Sequence, residues 1–124
     1  MPIGCIESGG NGLRHAQVTA LSAAEMLAAL DHANRHGIGA FTLVSHSFEL
    51  LSRDRRRINH IVRRRFERLC AGLARIGVTT ATYAERPPAV AAAAGPAPVL
   101  PHSRWRSGRR LAEQLAGNLR YGAR

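Results

Sequence analysis

The chain contains no lysine: all 18 of its basic residues are arginine, set against eight acidic ones, for a formal net charge of +10. With the abundant alanine, this is as readily the mark of a GC-rich coding sequence as of a selected arginine function. Aromatic residues are scarce, at 5%, so any core must be mostly aliphatic and alanine-rich. The two cysteines, Cys5 and Cys70, form no CxxC pair and lie far apart, which leaves the redox compartment open. No apolar run approaches the roughly 20 residues of a membrane span. The N-terminal residues Met1 to Gly10 lack the charged head and long apolar middle of a signal peptide, so nothing marks the chain for export and a cytoplasmic location is the default expectation. At 124 residues the chain is also too short for a complete eight-stranded barrel, which needs roughly 250.

What is present is an ordinary apolar content, enough for one small domain, and a charge that favours polyanions, either nucleic acid or an acidic membrane surface. The plainer reading of the same charge is a solvated basic exterior. Residues 3–12, with glycines at 4, 9, 10 and 12, read as loop. Residues 14–21, centred on Val18 and Thr19, read as a short strand. Ser22-Ala23-Ala24-Glu25 fits a capping box, and Met26, Leu27, Leu30 and Ala33 then repeat at helical spacing up to a C-terminal Gly37. Ile38 to His46 is a short apolar run bounded by glycine and polar residues, which predicts a buried strand. After a polar connection over 47–57, Ile58, Ile61, Val62, Phe66, Leu69, Leu73 and Ile76 form one apolar stripe, with Arg63, Arg64, Arg65, Arg68 and Arg75 mainly on the other faces. Gly77 ends that helix, and the β-branched residues from Val78 to Tyr83 predict a third strand. The order is β-α-β-α-β, which implies parallel pairing. Composition changes at Arg86-Pro87-Pro88. An alanine-rich stretch with Pro96, Pro98 and Pro101 reads as a semi-rigid linker, and Ser107 to Tyr121 predicts a short helix with Leu111, Leu115 and Leu119 on one side.

Four groups invite a chemical reading. His32 and His36 form an HxxxH pair on one helix face, but no glutamate follows His32 as in a zinc protease and no third ligand is evident, so a solvent-facing pair is expected. The glycines at 9, 10 and 12 do not open a helix in GxGxxG order. Ser45-His46-Ser47 is not a nucleophile elbow, because neighbours on a strand point to opposite faces. The eight arginines between Arg53 and Arg68 could grip phosphate, yet no aromatic residue interleaves them for base stacking, and their stems suit the wet face of an amphipathic helix. His46 stands apart. It sits at the end of a strand-like run in an alternating α/β order, where active-site groups gather.

Leu43-Val44-Ser45-His46-Ser47-Phe48-Glu49-Leu50-Leu51, then Arg63-Arg64-Arg65-Phe66-Glu67-Arg68-Leu69, then Val78-Thr79-Thr80-Ala81-Thr82-Tyr83 together resemble the C-terminal portion of bacterial polysaccharide deacetylases, the nodulation-type carbohydrate esterases. Ile6-Glu7-Ser8 and Leu13-Arg14-His15-Ala16-Gln17-Val18 fit the same portion, so the likeness spans roughly residues 2–85. The resemblance implies a fragment of a distorted (β/α) barrel from enzymes that remove acetyl groups from N- or O-acetylated glycans. In that family a divalent metal such as zinc activates water, an aspartate acts as base, and a late histidine acts as general acid, a division that suits the pKa of each group. His46 matches the late histidine by place. Ser47 stands where the family usually has an aspartate. His46-Ser47 also matches the start of the metal motif HSxxH, but Leu50 occupies the second histidine's position.

No Asp-Asp pair, HSxxH motif or intact arginine motif is present. The expectation is therefore a deacetylase-like α/β unit over 1–85, inactive alone and truncated relative to its family, with His46 as its catalytic candidate and no metal or cofactor site of its own. A linker over 86–104 and a basic amphipathic helix over 105–124 follow. The partners implied are an acetylated glycan, if a full-length enzyme exists, and the missing barrel strands, since open sheet edges invite pairing. A second expectation, of a different class, is a small basic binding protein whose helices contact an acidic membrane or nucleic acid.

Overall fold

The computed structural model describes residues 4–10, 12–82, 84–87 and 99–122. It is a mixed α/β structure with three helices and a two-stranded antiparallel sheet. Strands β1 (Cys5–Ser8) and β2 (Gly12–His15) form a hairpin in the register Cys5 opposite His15 and Ser8 opposite Gly12. The glycine-rich N-terminal run is thus the turn of a hairpin as well as loop, and Gly10, at φ 93°, takes the left-handed conformation that the turn requires. The strand predicted over 14–21 is displaced toward the N-terminus. Past His15 the chain stays extended only briefly, with Ala16 and Val18 buried.

Helix α1 (Ala23–Arg35) begins on the predicted capping box: Glu25 N–H donates to Ser22 Oγ at 3.3 Å, and Ser22 N–H donates to Glu25 Oε2 at 2.8 Å. Gly37 follows its end at φ 68°. Its inward face, with Met26, Ala29, Leu30 and Ala33, packs against α2 (His60–Ile76). Asn59 caps α2 by accepting from Ile61 and Val62 N–H, and Gly77 terminates it in the left-handed region. Helix α3 (Arg104–Tyr121) starts on Ser103, a few residues before the predicted Ser107. Ile6, Ala16, Val18, Leu21, Met26, Ala29, Leu30, Val62, Leu69 and Leu100 make one small aliphatic core.

The second and third predicted strands do not form as strands. Of the run from Ile38 to His46, only Val44 forms a β-bridge, parallel with Gln17: Val44 N–H donates to Ala16 O at 2.9 Å and Val18 N–H to Val44 O at 3.2 Å, while Thr42 O accepts a lone bond from Gly4 N–H at 2.9 Å. This one rung is what exists of the parallel β-α-β crossing. Residues 78–82 have no ladder partner among the described residues; Val78 N–H closes back on Leu73 O of α2, and Tyr83 lies outside the described residues. The physical reason is visible between the two segments. A cleft of about 520 Å³ lined by residues 39–43 and 77–82 lies between them, and a strand without a neighbour cannot satisfy its backbone groups. The β-α-β-α-β array of three parallel strands is accordingly absent among the described residues. Most of the Pro/Ala-rich linker, residues 88–98, lies outside them as well. Where the chain returns, Leu100 sits parallel beside Ile6 and accepts from Glu7 N–H at 3.0 Å, which anchors the approach to α3.

Candidate functional site

His46 lies at the start of a single 3-10 turn, Ser47–Leu50, directly after the Val44 rung. Its Nδ1 is 3.2 Å from Glu49 Oε1, and its backbone N–H donates to Glu49 Oε2 at 3.3 Å. Glu49 is itself nearly buried and also accepts from Gln17 Nε2. The carboxylate therefore fixes the imidazole, leaving Nε2 directed at no protein partner among the described residues. The ring stacks on Phe48 with centroids 5.1 Å apart, and the Arg55 guanidinium lies 5.6 Å from the Phe48 centroid. This is a histidine oriented by a carboxylate and open to solvent. Sequence reasoning found His46 but not Glu49 or Gln17 as its supports.

His32 and His36 lie against one another with their rings tilted by 39° and centroids 4.1 Å apart, and His36 Nδ1 lies 2.8 Å from His32 O. Loss of solvent around His32, and then the nearby His36 and Arg35, push its pKa below the ordinary histidine value. Among the described residues no group of three or more His, Cys, Asp and Glu is placed to hold a metal ion. The divalent metal implied by the family resemblance therefore has no fitting donor set in the described part of this chain.

The arginine-rich segment divides into three environments. Arg53, Arg55, Arg56 and Arg57 lie on an exposed loop closed by Ser52 and Asp54: Arg57 N–H donates to Ser52 Oγ at 3.0 Å and Arg56 N–H to Asp54 Oδ1 at 3.2 Å. The Ser52 hydroxyl and the Arg56 amide hold the Asp54 carboxyl below the usual aspartate range. Arg63, Arg64 and Arg68 are exposed on α2. Arg65 is different: it is buried, on the face of α2 that carries Val62, Leu69 and Gly72. Of the predicted apolar stripe, Val62, Leu69, Leu73 and Ile76 do face the core, whereas Ile58 and Phe66 are exposed and Arg65 joins the inward face instead.

Arg65 is buried because α3 covers it. Its Nε donates to Glu113 Oε2 at 2.7 Å and its Nη1 to Thr19 O at 3.2 Å. A second buried pair runs parallel: Arg110 Nε lies 3.4 Å from Glu25 Oε1, within ion-pair range but without hydrogen-bond alignment, and Arg110 Nη1 donates to Gln114 Oε1 at 2.8 Å. Helix α3 consequently docks by its polar side. Its apolar side faces outward, with Trp105 82% exposed and Leu119 90% exposed, and Leu111 and Leu115 between them. Trp105, Ala112 and Leu119 recur every seventh residue, and Leu111, Leu115 and Leu119 every fourth, so they share one continuous helical face. Arg104 stands at its N-terminal end, and Arg109 and Arg120 border the side toward α2; all three are exposed.

The leucine periodicity of α3 was legible in the sequence; its outward direction was not, because that depends on Glu25 and Arg65, remote residues that capture the opposite face. No helix among the described residues is long and apolar enough to cross a membrane. Comparison with family models, with curated proteins and with solved structures gives no match.

Proposed function

We propose that this protein binds acidic membrane surfaces peripherally, with α3 lying in the plane of the interface. The carrying observation is the exposed Trp105–Leu111–Leu115–Leu119 face bordered by Arg104, Arg109 and Arg120. A helix with arginine on its polar margins and Trp and Leu on the other side suits the boundary between headgroups and acyl chains. Full burial of one leucine is worth about 1.5–3 kcal/mol, and each arginine near an anionic leaflet adds about 1 kcal/mol. Several partial contributions of that size suffice for reversible attachment. Duplex nucleic acid would use the arginines but leave the leucines in water, so it accounts for less of the surface.

Sedimentation of the full chain with vesicles tests this. Binding is expected to phosphatidylcholine vesicles containing phosphatidylserine, weakening as salt screens the charges, and Leu115→Asp/Leu119→Asp should reduce it by at least about tenfold. Vesicle binding unchanged in that variant, or a preference for duplex DNA over vesicles, would sink the reading.

A second reading keeps the resemblance to polysaccharide deacetylases: a catalytically incomplete relative in which His46 is the surviving acid candidate for acetylated glycans. The His46–Glu49 pair favours it, since a carboxylate holding Nδ1 leaves Nε2 to meet a leaving group. No metal-dependent step is assigned to this chain. Titration with an acetylated chito-oligosaccharide, followed by NMR, is expected to shift His46 and Phe48 resonances without releasing acetate. Unmoved resonances at millimolar sugar would remove this reading.

A further inference from the structure

Helices α2 and α3 enclose a cleft of about 520 Å³ on the side of α3 next to its apolar face, where Glu113, Ala116, Arg120 and Tyr121 form the α3 wall. The α2 wall is His60, Arg63, Arg64 and Arg68. The two carboxylates at this cleft are already engaged: Glu67 lies 3.2 Å from Arg63 Nε, and Glu113 is held by Arg65 and Arg109. Arg64 and Arg68 make no hydrogen bond or ion pair with any described residue, and Arg120 makes only a cation–π contact, 5.9 Å from the Tyr121 ring centroid. Three arginines without a carboxylate partner therefore line one concavity, whose two carboxylates, Glu67 and Glu113, are already paired with other arginines. Such a gathering is repulsive in the unliganded protein, and a concave wall concentrates its field. The first turn of α2 also contains no acidic residue, so the positive end of its dipole adds to the same sign.

From this arrangement we propose that the α2–α3 cleft is a seat for a phosphomonoester, namely the phosphorylated headgroup of an anionic lipid. The inference rests on the membrane-surface reading of α3. Guanidinium forks match the oxygen spacing of phosphate and bind it in bidentate fashion. A terminal phosphomonoester offers nearly two negative charges and three acceptor oxygens, against one charge for the phosphodiester of lipids such as phosphatidylcholine and phosphatidylserine. Three unpaired arginines suit the former. The location suits a lipid source, because a headgroup beside a helix resting at the acyl boundary would stand level with the cleft walls.

The test measures binding of the full chain to vesicles containing phosphatidylserine or a phosphatidylinositol phosphate at matched surface charge, together with titration by soluble inositol phosphates and inorganic pyrophosphate. Binding about tenfold tighter to the phosphatidylinositol phosphate vesicles is expected. That gain should disappear in Arg64→Gln/Arg68→Gln but persist in Arg75→Gln/Arg86→Gln, which removes the same charge outside this cleft; circular dichroism checks that both variants fold. Equal affinity for the two vesicle types overturns the seat while leaving the membrane reading intact. Equal losses in the two double variants also overturn it, since diffuse charge would then explain the gain. Absence of binding to any vesicle removes the membrane reading. If soluble phosphomonoesters still bind and Arg64→Gln/Arg68→Gln abolishes that, the cleft is a free-phosphate site and the lipid assignment is overturned.

Discussion

Glu25 serves two structures at once. One carboxylate oxygen accepts from the amide and hydroxyl of Ser22 and so starts α1; the other faces Arg110 of α3. Only the first role was legible in the sequence, because a capping box is written within four residues, whereas the arginine partner lies in another helix far along the chain. Arg65 was misread for the same reason: a basic residue beside Val62 looks solvated until Glu113 and the Thr19 carbonyl arrive to receive it. A buried ion pair adds little over a hydrophobic replacement, but stripping one partner leaves a desolvated charge and costs about 3–5 kcal/mol. Arg110→Met is therefore expected to be strongly destabilising in a wild-type background and less so in Glu25→Gln. A double-mutant cycle by urea unfolding should return a coupling energy on the order of 1–3 kcal/mol; purely additive losses would mean that the two side chains do not act together.

At the scale of elements, all three helices were legible and two of the predicted strands were not. Helix signals are local. Ser22 with Glu25, Gly37 and Gly77 mark ends of α1 and α2, and spacing of three and four marks their faces. A strand is completed only by its neighbour, and residues 78–82 have none among the described residues, so β-branched composition alone misled. The direction of the apolar face of α3 escaped the pattern, as its outward leucines show. The candidate site shared this fate: His46 could be picked out by place, while the carboxylate that orients it could not be identified as its partner. Two helical glycines give a clean contrast. A Cβ at Gly72 would overlap the Leu27 side chain where α1 meets α2, whereas a Cβ at Gly108 of α3 meets nothing within 4 Å. Gly108→Ala should raise stability by about 0.5–1 kcal/mol through helix propensity. Gly72→Ala should gain less or lose stability as Leu27 is displaced. An upward shift for Gly72→Ala as large as that for Gly108→Ala would refute the close α1–α2 approach.

For the whole molecule, the core is a single small aliphatic cluster, and buried charge completes it where apolar residues run short. A chain ending at Pro87 would retain α1 and α2 but lose Leu100 from that cluster and leave Glu25 and Arg65 without Arg110 and Glu113. That shortened chain is expected to melt at a lower temperature and less cooperatively than the 124-residue chain, as followed by circular dichroism; identical melts would mean that α3 contributes nothing to the fold. The polar character of the α3 seam has a calorimetric consequence as well. Lifting α3 off the body would hydrate mainly guanidinium, carboxylate and amide groups, and polar hydration lowers heat capacity where apolar hydration raises it. Undocking of this helix should therefore carry little heat-capacity change and give a nearly straight van't Hoff plot, while unfolding of the aliphatic cluster beneath it keeps the curved temperature dependence of an ordinary protein core.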